Sequence, residues 1–113
     1  MWLFGSHADG RATAVSDIDL AVLFTRRPTA AERLELQADL AQQLAKPVDL
    51  IDLDAASPVL AMQVLRHGRL LLDRNPRRRI AFTSTLPSRY EDVRRLRAPI
   101  ERMIAARMSH GRT

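Results

Sequence analysis

The sequence predicts a small α/β (α+β) domain: a mixed sheet of about four strands backed by helices, with a helical arm at the C-terminus. Three observations carry this. Short apolar strand patterns alternate with helix patterns that have their own start and stop signals, and the order reads β-β-α-β-α-β-α. At 113 residues the chain is shorter than one typical domain of ~150, so we divide it only into a core, 1–75, and a basic helical arm of the same domain, 76–113.

The first strand covers Met1 to Phe4 and stops at Gly5-Ser6. His7 to Ser16 is small and polar, and reads as a turn or short helix. The second strand, Asp17 to Phe24, alternates polar and apolar at its start and is wholly apolar at its end, as a strand entering a core should be. Thr29 and Glu32 form a capping box for a helix with Leu34, Ala38, Ala41 and Ala45 at helical spacing, which Pro47 ends. Val48 to Leu53 is a third strand, and Ser57-Pro58 opens a helix that stops at Gly68. Leu70 to Leu72 is a short last strand. Beyond Asp73 the pattern is helical, with Pro87 and Pro99 as expected breaks and Ser88 and Glu91 as a second capping box.

Charge separates the two halves. Residues 1–56 have a balance of −4 and residues 57–113 a balance of +9, which gives the net +5. Clustered guanidinium groups attract anions, whether nucleic acid or an acidic protein. However, seventeen of the eighteen basic residues are arginine, a compositional bias, and little aromatic material lies among them. A base-stacking surface, and with it direct nucleic-acid binding, is therefore not expected. Arg77-Arg78-Arg79 reads as a solvated helix face, with an acidic partner as the alternative. Without cysteine there is no thiol catalysis, iron–sulfur cluster or disulfide framework. The longest apolar run, Leu20 to Phe24, is far short of the ~20 residues of a membrane span, and the start has no basic leader. A cytoplasmic location, with no membrane contact, is the expectation.

The chemistry lies in carboxylates. Period-two geometry puts Asp17 and Asp19 on one face of their strand, about 7 Å apart, and Asp49 joins them if the neighbouring strand pairs. Oxygen donors with no histidine or cysteine beside them favour magnesium or manganese over zinc. Three like charges in one place need a cation to coexist. Asp52 is the other candidate for the third position, but alternation turns it to the opposite face from Asp49. Gly5-Ser6 ends eleven positions before Asp17, and offers close backbone approach and a hydroxyl to a phosphate.

Leu3-Phe4-Gly5-Ser6-His7-Ala8-Asp9-Gly10, followed by Ser16-Asp17-Ile18-Asp19-Leu20-Ala21-Val22, resembles the nucleotidyltransferases of the polymerase-beta superfamily. The small size points to their minimal form, the MNT proteins, and within it to the MntA-type adenylyltransferase antitoxins of HEPN/MNT toxin–antitoxin pairs. The resemblance implies transfer of AMP from ATP to a tyrosine of a partner HEPN ribonuclease toxin. It implies that Gly5 and Ser6 hold the triphosphate, that Asp17 and Asp19 bind two Mg2+ ions, and that Asp49 completes a metal site and helps deprotonate the incoming hydroxyl. The family usually carries arginine where this chain has Asp9, which leaves Arg11 to meet phosphate. The family also usually places a helix before the first strand. The alternative is a fold with weak or no catalysis that neutralises its partner by binding alone.

Among the remaining residues, His7 is expected to be exposed, His67 to favour a helix C-terminus through the dipole, and Trp2 to be core. Val93, Leu96, Ile100 and Ile104, with Met103 beside them, form a helical stripe that either packs on the sheet or docks a partner helix.

Overall fold

A computed structural model describes residues 1–13 and 16–110. Positions 14 and 15 of the expected turn, and the last three residues of the arm, lie outside the described residues. The order is β1 (Trp2–Phe4), a 3-10 turn (Gly5–His7), β2 (Ile18–Val22), α1 (Ala30–Leu44), β3 (Val48–Asp52), α2 (Pro58–His67), β4 (Arg69–Leu70) and α3 (Pro76–His110). The sheet is mixed and four-stranded in the order β3-β2-β1-β4. β1 runs antiparallel to β2 and β4, while β2 and β3 are parallel and joined through α1. The last strand starts one residue earlier than expected and is shorter, because Leu71 and Leu72 turn their N–H groups to the carbonyl of Met1.

Alternation sorts the strands into two faces. Trp2, Ala21 and Leu53 pack with Ala61 and Val64 of α2 and Phe82 and Leu86 of α3. On the opposite face Leu20, Val48 and Leu50 pack against Leu40 and Ala41 of α1. The sheet is thus covered on both sides, and Trp2 is core as expected.

Local rules set the helix starts. The Thr29 hydroxyl accepts the Glu32 N–H at 3.1 Å, and the Glu32 carboxylate accepts the Thr29 N–H at 3.0 Å, completing the capping box. Those hydrogen bonds hold the Glu32 carboxyl below its usual range. Ser57 accepts from Leu60 at 3.2 Å with Pro58 at the first helical position, and Asn75 accepts from Arg78 at 3.2 Å at the start of α3.

The end of α1 is less comfortable. Ala45 caps it at φ 53°, and is the only non-glycine with positive φ among the described residues. The left-handed region costs an L-residue about 1 kcal/mol that glycine does not pay. Ala45→Gly is therefore expected to stabilise the fold by about 1 kcal/mol and raise the melting temperature by about 4 °C, measured by thermal denaturation.

Two expectations are corrected. Pro87 and Pro99 do not break α3, which runs unbroken for 35 residues, and Ser88 lies inside it and caps nothing. Each proline removes one backbone hydrogen bond, a local cost of about 3 kcal/mol. Burial of Phe82 and Leu86 before Pro87 opposes that cost. The arginine run is also not simply solvated. Arg78 donates through Nε to the Phe24 carbonyl at 2.7 Å and pairs with Asp54, and Arg79 pairs with Asp73 at 2.9 Å. Arg78 thus ties α3 to the chain just beyond β2 and β3, and Arg79 ties it to the segment between β4 and α3.

Candidate active site

Three strand ends meet at one edge of the sheet. Phe4 stands opposite Asp19 across the β1–β2 ladder, and Asp19 stands opposite Asp49 across the β2–β3 ladder. Paired strands lie about 4.8 Å apart, so the two aspartates are lateral neighbours. They share the face that carries Trp2, Ala21 and Leu53, while Asp52 points the other way, as alternation requires. Asp52 is buried and accepts the Asp54 N–H at 3.0 Å, which makes it part of the turn after β3. Asp17 precedes β2 and is exposed, as is Asp49; Asp19 is half-buried.

Gly5 follows Phe4 directly and adopts φ 70°. A Cβ there would collide with the Asp19 carboxylate, whose Cγ and Cβ lie 3.2 and 3.5 Å away. The Gly-Ser turn and the acidic strand therefore touch. Beyond Gly5 the chain folds back on itself: the Ala8 and Asp9 N–H groups donate to the Gly5 carbonyl at 3.1 and 3.2 Å, and Arg11 donates to the Ser6 carbonyl at 3.0 Å. His7 is not simply exposed. Its Nε2 donates to the Ser16 carbonyl at 3.2 Å and pins the two ends of the loop together.

Burial pushes the Asp19 carboxyl above its usual range; Asp49 and Asp17 push it the same way and His7 opposes them. None of the three aspartates enters an ion pair among the described residues. Nor, among those residues, are three His, Cys, Asp or Glu side chains grouped closely enough to hold a metal ion as they stand. The fit to a cation is one of chemistry: oxygen donors, mutually repelling and without an ion-pair partner among the described residues, match a hard divalent ion.

A cavity of about 710 Å³ opens beside the turn, lined by Gly5, Asp9, Arg11, Leu60, Gln63 and His67 among others. Gln63 and His67 lie four residues apart on one face of α2. The sequence alone does not place either at the site. Their spacing was visible, but nothing local says that this face borders Gly5. Arg11 reaches the cavity but is paired with Asp9, Nη2 to Oδ2, at 2.7 Å. A separate groove of about 400 Å³ at the opposite end of the strands, around Met1, Leu36, Leu40 and Leu72, contains none of the three aspartates.

A Gly-Ser turn against a pair of in-register aspartates, on a β-β-α-β mixed sheet, is the architecture of a nucleotidyltransferase. The chain belongs to the polymerase beta nucleotidyltransferase family, whose model matches residues 1–77. It is 44% identical over 71 residues to the protein adenylyltransferase MntA of Shewanella oneidensis, a match covering 63% of this chain and 51% of that protein. The chain thus spans about half the length of this curated relative. Among solved structures it is similar to a toxin–antitoxin complex with AMP-PNP, at TM-score 0.81 and 35% identity over 92% of this chain and 83% of the other. A second similar structure, from Shewanella oneidensis, is a tri-AMPylated HEPN toxin in complex with an MNT antitoxin. Its TM-score is 0.74, with 33% identity over 92% of this chain and 80% of the other.

Proposed function

We propose that this chain is an Mg2+-dependent adenylyltransferase that transfers AMP from ATP to a tyrosine hydroxyl of a partner HEPN toxin and so acts as its antitoxin. The observation that carries this is the contact between Gly5 and the Asp19 carboxylate, with Asp49 next in register. It brings the Gly-Ser turn to two neighbouring carboxylates that form no ion pair among the described residues, which supports a phosphate-and-cation reading of this end of the sheet. The relatives support the substrates: one is named a protein adenylyltransferase, one complex holds an ATP analogue, and another holds an AMPylated HEPN toxin. The working unit is the core 1–75 with the basic arm 76–113 of the same domain. Among the described residues no helix is long and apolar enough to cross a membrane, and we place the protein in the cytoplasm, where ATP and such a partner meet.

In this reading Gly5 and Ser6 hold the triphosphate, by close backbone approach and by the serine hydroxyl. Asp17, Asp19 and Asp49 are the residues that would hold two magnesium ions. Such ions, when bound, stabilise charge on the attacking and leaving oxygens of an in-line displacement. Asp49, exposed at the sheet edge, accepts the proton of the incoming hydroxyl. The oxygen then bonds to the α-phosphorus, the bond to the β-phosphate oxygen breaks, and pyrophosphate leaves. Arg11 meets the phosphate charge, and Asp9 competes for it. Asp9→Ala frees Arg11 and removes an acid from the cavity. It is expected to tighten ATP-analogue binding about fivefold, near 1 kcal/mol for an exposed pair, measured by calorimetric titration. Weaker binding would instead mean that Asp9 orients Arg11.

The deciding experiment supplies ATP labelled at the α-phosphate, with magnesium, to the chain co-expressed with its HEPN partner. Label should appear on the partner and vanish with Asp17→Ala plus Asp19→Ala. The Asp9–Arg11 pair favours a second reading, in which the chain neutralises its partner by binding alone. Neutralisation that persists undiminished in the double variant, with no label in the wild type, would establish it.

A further inference from the structure

Eighteen residues of α-helix make five whole turns, so positions eighteen apart on α3 point the same way. Phe82 and Leu86, buried against α2 and the sheet, are repeated in direction by Ile100 and Ile104. The packing is not repeated. Ile100 and Ile104 are 53% and 50% exposed, and Leu96, Met103 and Met108 beside them 71%, 53% and 60%. The expectation that this stripe packs on the sheet is thus corrected from Leu96 onward, Val93 alone being half-buried. Thirty-five residues of helix span about 52 Å, close to the 56 Å long axis of the molecule, and the second half runs past the body it would need to cover it. The result is an apolar seam about 18 Å long, continuous with the core-facing side of the same helix.

Charge along the seam identifies what fits it. Arg89 and Arg107 are also eighteen residues apart and point the same way as the stripe, Arg89 ahead of it and Arg107 in its last turn beside Met108. Neither enters an ion pair among the described residues, whereas Arg94, Arg95 and Arg97 are engaged by Glu91 and Glu101. A second copy is a poor occupant. An antiparallel pairing centred on the stripe puts Arg107 of one helix against Arg97 of the other, and a parallel pairing puts Arg107 against itself; like charges across such an interface are costly. We propose that the Leu96–Met108 face of α3 is a docking seam for a partner protein presenting an apolar helix face edged by Asp and Glu, with Arg89 and Arg107 setting its register. The seam lies on the arm and not at the Gly5–Asp19 edge, so holding the partner and modifying it are separable. The inference rests on the proposed function only in taking the HEPN toxin as that partner.

The test uses full-length protein and the HEPN partner, with affinity measured by calorimetry and the mass of the unmixed chain by light scattering. Ile100→Asp with Ile104→Asp, both on exposed turns, should weaken partner binding at least tenfold, while melting temperature and ATP-analogue affinity stay at the wild-type values. Arg89→Glu with Arg107→Glu should weaken it too, and lessen its salt dependence. Asp17→Ala plus Asp19→Ala should bind the partner as tightly as wild type. Unchanged affinity in the Ile100/Ile104 variant overturns the seam, even if the partner is labelled. Absence of label with the wild-type chain, while seam-dependent binding is intact, overturns the transfer reaction and leaves the seam standing. A wild-type chain that is dimeric through Ile100 and Ile104, or that does not bind the HEPN partner, also overturns it.

Discussion

Asp19→Asn is expected to abolish the proposed AMP transfer, lowering kcat by about a thousandfold or more, while making the metal-free protein slightly more stable at neutral pH. Both effects have one cause. The Asp19 carboxyl is raised above its usual range by burial, then by Asp49 and Asp17, so the fold favours its protonated form. A group raised in the folded state contributes stability that is full below its unfolded value, near 3.8, and is lost as pH rises through the folded value. Above that, ionised Asp19 opposes folding, and an uncharged amide of the same shape does not. The site is partly solvated, so the gain is discounted to less than about 1 kcal/mol. Melting curves in a chelating buffer should nearly coincide below pH 3.8 and separate as pH rises, the Asn variant being higher. The catalytic loss runs the other way, because a carboxylate that helps hold divalent ions supports several kcal/mol of transition-state charge stabilisation, and about 4 kcal/mol is a thousandfold. Magnesium should raise the wild-type melting temperature and leave that of the Asn variant almost unmoved. A variant that is inactive without this stability gain would mean that Asp19 is structural.

What could be read from the sequence was whatever local periodicity determines. Thr29 and Glu32 are three residues apart, and their capping box forms whatever else the chain does. Alternation separates Asp49 from Asp52, and the β2–β3 register sets Asp19 opposite Asp49, whereas Asp17 lies just ahead of β2 and outside its alternation. Local rules misled where distant contacts outweighed them. Pro87 has a helix-breaking signature, but Phe82 and Leu86 are anchored in a core built by residues as distant as Trp2. Arg78 looked solvated because its acceptor, the Phe24 carbonyl, lies 54 positions away. Periodicity marked the Leu96–Ile104 stripe as apolar, yet it cannot say whether anything in the chain reaches far enough to cover it. Gln63 and His67 were missed for the same reason, since bordering Gly5 is a property of how α2 crosses the sheet.

Gly5→Ala should damage both fold and activity, and Gly10 provides the control. Both glycines sit at positive φ, 70° and 73°, so alanine at either pays about 1 kcal/mol of backbone strain. At Gly10 there is nothing more to pay, since among the described residues nothing lies within 4 Å of an added Cβ. At Gly5 the methyl meets the Asp19 carboxylate, backed by Asp19 Cγ at 3.2 Å, and one of the two must move. The added overpacking cost, about 1 kcal/mol or more, brings the Gly5 loss to about 2 kcal/mol, or some 8 °C in melting temperature. Displacing Asp19 should also cut transfer at least a hundredfold in whatever fraction remains folded, a loss that Gly10→Ala does not share. The coupling can be isolated. In an Asp19→Ala background the carboxylate is gone, so Gly5→Ala should cost no more than Gly10→Ala does, and the stability cycle should give an interaction of about 1 kcal/mol. Additive costs in that cycle would mean that the turn and the acidic strand do not press on each other, and the contact on which the active-site reading rests would be lost.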